Sequence, residues 1–135
     1  PGQVRDMVLP TLIRSLLDGQ RFPMSEGSQT RDYIYVDDLV QALLLASKEP
    51  LAIGRVINVG SGTSSSMKDV AKIAAGIIGE DAEDLLDIGK LGYRANEIME
   101  YRVSSVLASE LLNWRAKTSL YDGLRMTVEY YRSVC

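Results

Sequence analysis

The sequence predicts an α/β chain of short mixed strands and about five helices. Three observations carry that prediction. Apolar residues recur at three- and four-residue intervals in several segments, as on one face of a helix. Ser66 is followed by Asp69, and Ser119 by Asp122, each pair standing just before an apolar stripe in the manner of a helix start. Val56-Ile57-Asn58-Val59 is too short for a helix and apolar on both faces, as in a strand covered on both sides.

The elements follow in order. Leu9, Leu12, Ile13, Leu16 and Leu17 form the stripe of a first helix, with Pro10 in its first turn and Gly19 as its stop. Arg21-Phe22-Pro23-Met24 alternates as a short edge strand, since Pro23 cannot donate to a ladder. Glu26-Gly27-Ser28 is a turn, and Tyr33 to Val36 a short strand. Asp37 and Asp38 suit the start of a second helix running to about Lys48, because carboxylates there cap free N–H groups and oppose the positive dipole end. The Ser66 helix carries Met67, Val70, Ala71, Ala74, Ile77 and Ile78. Leu85 to Ile88 reads as a strand, followed by a loop with Gly89, Gly92 and Asn96. One helix spans about Ser104 to Asn113. The last starts at Ser119 and carries Leu120, Leu124, Val128 and Tyr131 on one side.

Composition removes several classes of function. The chain of 135 residues has a net charge of −3 and no basic face, which argues against a nucleic-acid partner. No apolar run is long enough to span a bilayer, and Pro1 to Asp6 lacks the basic start and apolar core of a signal peptide. The absence of histidine excludes imidazole-based metal sites and Ser-His-Asp catalysis. The single cysteine, Cys135, forms no intramolecular disulfide and fits a reducing cytoplasm. Asp37 and Asp38 read as a helix start and not as a metal or acid pair.

Two segments concentrate the functional signal. Arg31-Asp32-Tyr33-Ile34-Tyr35-Val36-Asp37-Asp38 joins a turn, a strand and a helix start. Its arginine offers a planar fork suited to phosphate oxygens, although composition alone leaves a surface pair with Asp32 or Asp37 as the simpler reading. Gly60-Ser61-Gly62 lies between a strand and a helix, the setting of a dinucleotide turn. The third glycine is missing and the strand does not open a βαβ unit, so a tight connection is the better reading.

Together with Arg94-Ala95-Asn96-Glu97, Leu111-Leu112-Asn113-Trp114 and Leu120-Tyr121-Asp122-Gly123-Leu124, these motifs resemble the C-terminal, substrate-binding portion of the NAD-dependent epimerase/dehydratases. These are the nucleotide-sugar branch of the extended short-chain dehydrogenases/reductases, with a Rossmann-type fold and members such as UDP-glucose 4-epimerase. The resemblance covers nearly the whole chain, residues 1–135, and Pro1-Gly2-Gln3 is similar to the end of the family's Y-G-P-G-[QR] segment. It implies that Arg31 and Arg94 contact the diphosphate of a nucleotide sugar and that Glu97 reaches ribose hydroxyls. It places Tyr33, Thr63 and Tyr101 near the substrate, and Phe22, Met24 and Val8, with Met7, around the base. Plain core packing remains open for Phe22 and Met24, and Glu97 could instead pair with Arg94.

The family's G-x-x-G-x-x-G loop and Y-x-x-x-K pair are absent from the sequence. The resemblance therefore implies that NAD or NADP and the hydride chemistry belong to another portion of an intact protein. It leaves this chain with no catalytic residue, no metal and no cofactor of its own. A stand-alone, non-catalytic nucleotide-sugar binding module and a structural interaction module remain alternatives. In the family the strand at Val56 to Val59 joins the main parallel sheet, so the resemblance implies an incomplete sheet here, whose exposed edge leaves the chain marginally stable as a monomer or pairs with another chain.

Overall fold

The computed structural model describes residues 7–134, so Pro1-Gly2-Gln3 and Cys135 lie outside the described residues. The chain divides into two compact units. The first gathers Pro1–Gln29, Ser66–Met99 and Leu124–Cys135, and the second Thr30–Ser65 and Glu100–Gly123.

In the first unit, helix α1 (Val8–Leu17) buries Pro10, Leu12, Ile13 and Leu16. This is the stripe expected from the apolar spacing. α1 packs against α3 (Met67–Ile78), which buries Met67, Val70, Ala71, Ala74 and Ala75. Ser66 Oγ accepts the Asp69 N–H at 3.0 Å and donates to the Asp69 carboxylate at 2.6 Å, so the sequence pair is a true helix cap. Strands β1 (Phe22–Pro23) and β4 (Leu86–Asp87) run parallel, Phe22 opposite Leu86 and Pro23 opposite Asp87. Gly27 adopts φ +70, and a Cβ there would lie 2.8 Å from the backbone nitrogen of Lys68, so glycine is required on both counts. The final helix, α5 (Leu120–Val134), gives Val128 and Tyr131 to a core shared with Ile13 and flanked by Leu17, Ile77 and Ile78.

The second unit departs from the sequence reading in two places. The strand expected over Tyr33 to Val36 is absent; β2 is Thr30–Arg31, paired with β3 (Ser65–Ser66), and Val36 already opens α2 (Val36–Ala46). The β-rich composition of Tyr33 to Val36 meets no ladder partner among the described residues, and propensity without a partner does not make a strand. Val56 to Val59 likewise forms no strand. Ile57 and Val59 pack on the core while Val56 is 87% exposed, so only one side of this segment is covered and no sheet edge is built there.

That core consists of Ala42, Ala108, Leu112 and Trp114, between α2 and α4 (Val106–Leu112). Asn113 closes α4 in the left-handed region at φ 48 and turns the chain so that Trp114 folds inward. Trp114 Nε1 donates to the Asp38 carbonyl at 3.1 Å. Asp38 stands with Asp37 in the first turn of α2, as expected, and its carboxylate also accepts the Thr118 N–H at 2.9 Å. Of α2 only Asp38 and Ala42 are buried. Val36, Leu39, Val40, Leu43 and Leu44 are exposed on an apolar stripe. No helix among the described residues is long and apolar enough to cross a membrane.

Candidate ligand-binding site

The second unit organises its polar residues around Asp32. The Asp32 carboxylate accepts three hydrogen bonds from one turn: Ser61 N–H at 2.8 Å, Ser61 Oγ–H at 2.7 Å and Gly62 N–H at 3.0 Å. Gly60 permits this approach, because a Cβ there would stand 2.7 Å from Val103 and 2.8 Å from the Asp32 carboxylate. Ser105 Oγ pins the same residue, accepting the Gly60 N–H at 3.0 Å and donating to its carbonyl at 2.8 Å. The turn is thus rigid, and the donors it could offer an anion are already engaged by a carboxylate of the chain itself.

Beside the turn lies a cavity of about 220 Å³, lined by Tyr33, Ser61, Thr63, Ser65, Lys117 and Ser119 among others. Hydroxyls dominate its wall, and Lys117 supplies the cation. Burial pushes the Tyr33 phenol above its usual range, partly offset by the Arg31 charge, so Tyr33 stays a neutral hydroxyl well into alkaline pH. Arg31 is half-buried and donates from Nη1 to the Thr30 carbonyl at 2.7 Å. Tyr101 is exposed, and its carbonyl accepts from Ser64 Oγ at 3.1 Å, beside Thr63. Arg102 Nε donates to the Gly62 carbonyl at 3.1 Å.

Of the residues singled out in the sequence, Tyr33 and Thr63 therefore meet at one cavity, with Arg31 two residues before Tyr33 and Tyr101 close to Thr63. Asp32, Ser61, Arg102 and Lys117 were not singled out. Asp32 and Ser61 stood inside the two motifs, but a contact 29 residues long in sequence has no local signature.

The remaining candidates belong to the first unit. Met24 is buried at 5% exposure and exchanges backbone bonds with Asp87 and Leu91. Phe22 is half-buried on β1, and Val8 is 46% exposed at the start of α1. Arg94 to Glu97 forms a tight turn: the Glu97 N–H donates to the Arg94 carbonyl at 3.1 Å, and Asn96 takes φ 65. Arg94 is exposed.

The glycine turn spends the Ser61 and Gly62 N–H groups on Asp32. Among the described residues no cluster of acidic or cysteine side chains could hold a metal ion.

The model of the NAD dependent epimerase/dehydratase family matches residues 1–60, which include both Arg31-Asp32-Tyr33 and Gly60. A UDP-glucose 4-epimerase of Mycolicibacterium smegmatis is 33% identical over 108 residues, 80% of this chain and 33% of that protein. The chain belongs to the NAD-dependent epimerase/dehydratase family. Another member, dTDP-glucose 4,6-dehydratase of Streptomyces griseus, is 30% identical over 135 residues, 97% of this chain and 39% of that protein. The chain thus spans a third to two-fifths of the length of these curated relatives.

The solved relatives agree. UDP-glucose 4-epimerase of Thermotoga maritima with UDP-glucose is 31% identical, with a TM-score of 0.84 over 95% of this chain and 40% of that one. UDP-glucuronic acid 4-epimerase of Bacillus cereus, with UDP-glucuronic acid and NAD, is 28% identical, with a TM-score of 0.89 over 100% of this chain and 42% of that one. The fold is that of the Rossmann-type extended short-chain dehydrogenase/reductase epimerases and dehydratases.

Proposed function

We propose that this chain is the nucleotide-sugar-binding, C-terminal portion of an NAD(P)-dependent epimerase/dehydratase, whose hydride transfer is carried out by residues outside it. The observation that carries this reading is the meeting of Tyr33 and Thr63 at one cavity, with Arg31 two residues before Tyr33, on a chain 31% identical to a structure holding UDP-glucose. Arg31 binds the diphosphate, since a half-buried guanidinium gains most from charge-assisted bonds to phosphate. Arg94 is a second diphosphate ligand, Glu97 a ribose ligand, and Tyr101 a substrate contact. Phe22, Met24 and Val8 belong to the base side.

The chain binds the nucleotide diphosphate and leaves the nicotinamide to the other portion. Titration calorimetry of the purified chain with UDP-glucose, dTDP-glucose and NAD tests this. Saturable binding of a nucleotide sugar is expected, with at least a tenfold loss in Arg31→Ala at an unchanged melting temperature. Absence of binding by every nucleotide sugar at millimolar concentration sinks the reading.

A further inference from the structure

We propose that Asp32 fixes the direction of a short hydroxyl relay, Thr63 to Ser61 to Asp32, so that Thr63 presents only acceptor lone pairs to the cavity and selects a ligand O–H or N–H donor. The proposal rests on the reading above, in which a nucleotide sugar occupies that cavity.

The argument is a count of protons. Ser61 Oγ has one proton and two lone pairs. Its neighbours are the Asp32 carboxylate at 2.7 Å, the Thr63 carbonyl at 3.0 Å, the Thr63 N–H at 3.2 Å and Thr63 Oγ1 at 3.0 Å. The proton goes to the shorter, charged acceptor, because a bond to a carboxylate is roughly twice as strong as one to a neutral carbonyl. Ser61 Oγ is then left as an acceptor towards Thr63, from its N–H and from its hydroxyl. The hydroxyl of Thr63 must donate inward, and its own lone pairs remain for the cavity.

A carboxylate or phosphate oxygen brings no proton and gains nothing at Thr63. A ribose or sugar hydroxyl, or the N–H of a base, does. The anionic part of the ligand is therefore directed to cations such as Arg31 and Lys117, while Thr63 reads a neutral donor. Asp32 touches no ligand in this scheme; it is a positioning residue acting through Ser61.

The test is a double-mutant cycle on the full chain, using Asp32→Asn, Thr63→Val and the two combined, with Ser61→Ala as a second route to breaking the relay. Affinities for UDP-glucose, UDP and pyrophosphate are measured by calorimetry, and folding is checked by melting. Each single variant should weaken UDP-glucose about fivefold, the worth of one neutral hydrogen bond. Asp32→Asn and Ser61→Ala should add nothing in the Thr63→Val background. A loss seen with UDP as well assigns the donor to the nucleoside, and a loss confined to UDP-glucose assigns it to the sugar. Additive losses, or an equal loss for pyrophosphate, overturn the proposal. If the parent chain binds no nucleotide sugar, the functional reading falls, and amide exchange then decides the relay. Exchange at Ser61 and Gly62 should accelerate at least about tenfold in Asp32→Asn, and unchanged exchange overturns it.

Discussion

Replacing Asp38 by alanine tests the clamp between α2 and the segment before α5. The carboxylate accepts the Thr118 N–H across 80 residues of chain and is itself 7% exposed. A bond from a neutral donor to a buried charged acceptor contributes about 1.5–3 kcal/mol. Thr118 is only half-buried, so water replaces part of that bond in the variant, and about 1.5–2 kcal/mol is expected. Loss of an acid from the first turn of α2 adds about 0.5 kcal/mol. Asp37→Ala is the internal control, since Asp37 sits in the same helix turn but is exposed. The difference between the two variants should therefore be about 1.5–2 kcal/mol. Trp114 is the chain's one tryptophan and bonds to the Asp38 carbonyl, so its fluorescence during urea unfolding reports on this clamp directly. With a slope of about 2 kcal/mol per molar, the midpoint of Asp38→Ala should fall about 1 M below that of the unsubstituted chain. Equal midpoints for Asp37→Ala and Asp38→Ala would refute the clamp.

Three further outcomes follow from the geometry. Gly60→Ala forces a methyl to within 2.7 Å of Val103, and should cost about 1–3 kcal/mol by thermal unfolding; a neutral result would mean that the turn has room to shift. The Arg21 guanidinium bonded to Asp87 holds that carboxyl below its usual range, so the folded form binds the proton less readily than the unfolded one. The pair's contribution is thus present above the ordinary carboxylate pKa near 3.8 and is lost as pH falls through the lower folded value. The gap in melting temperature between the chain and Asp87→Asn should close in that acid window, and narrow in 1 M salt because Arg21 is exposed and Asp87 only half-buried; a gap persisting at pH 2 contradicts the assignment. The apolar stripe of α2 should make the chain self-associate, with a sedimentation coefficient rising with concentration and falling back in Leu43→Glu. A concentration-independent monomer would count against that.

What the sequence disclosed was what is written locally. α1, α3 and α5 were legible because stripe and cap lie within one helix: Leu12, Ile13 and Leu16 repeat at helical spacing, and Ser66 and Ser119 each bond the N–H three residues on. β1 was legible from the alternation of Arg21 to Met24, and β4 from the short run Leu85 to Ile88. Tyr33 to Val36 and Val56 to Val59 carried β-type composition, but a strand exists only where another chain segment completes its ladder. The roles of Asp32 and Asp38 were hidden for a related reason. Asp38 reads as part of a helix start and Asp32 as a surface partner of Arg31, yet they reach Thr118 and Ser61, and no spacing rule points there. At the candidate site Tyr33 and Thr63, singled out in the sequence, line one cavity, while the Asp32–Ser61 bond beside Thr63 had no local signal.

The composition of α2 also bears on the lifetime of the chain in a cell. A helix showing Val36, Val40, Leu43 and Leu44 to water is the kind of surface that folding chaperones hold and that proteases sample through partial opening. Whatever covers that stripe would do more than complete a fold. It would lower the population open to triage, so the abundance of this polypeptide would track the supply of its covering surface more than its own rate of synthesis.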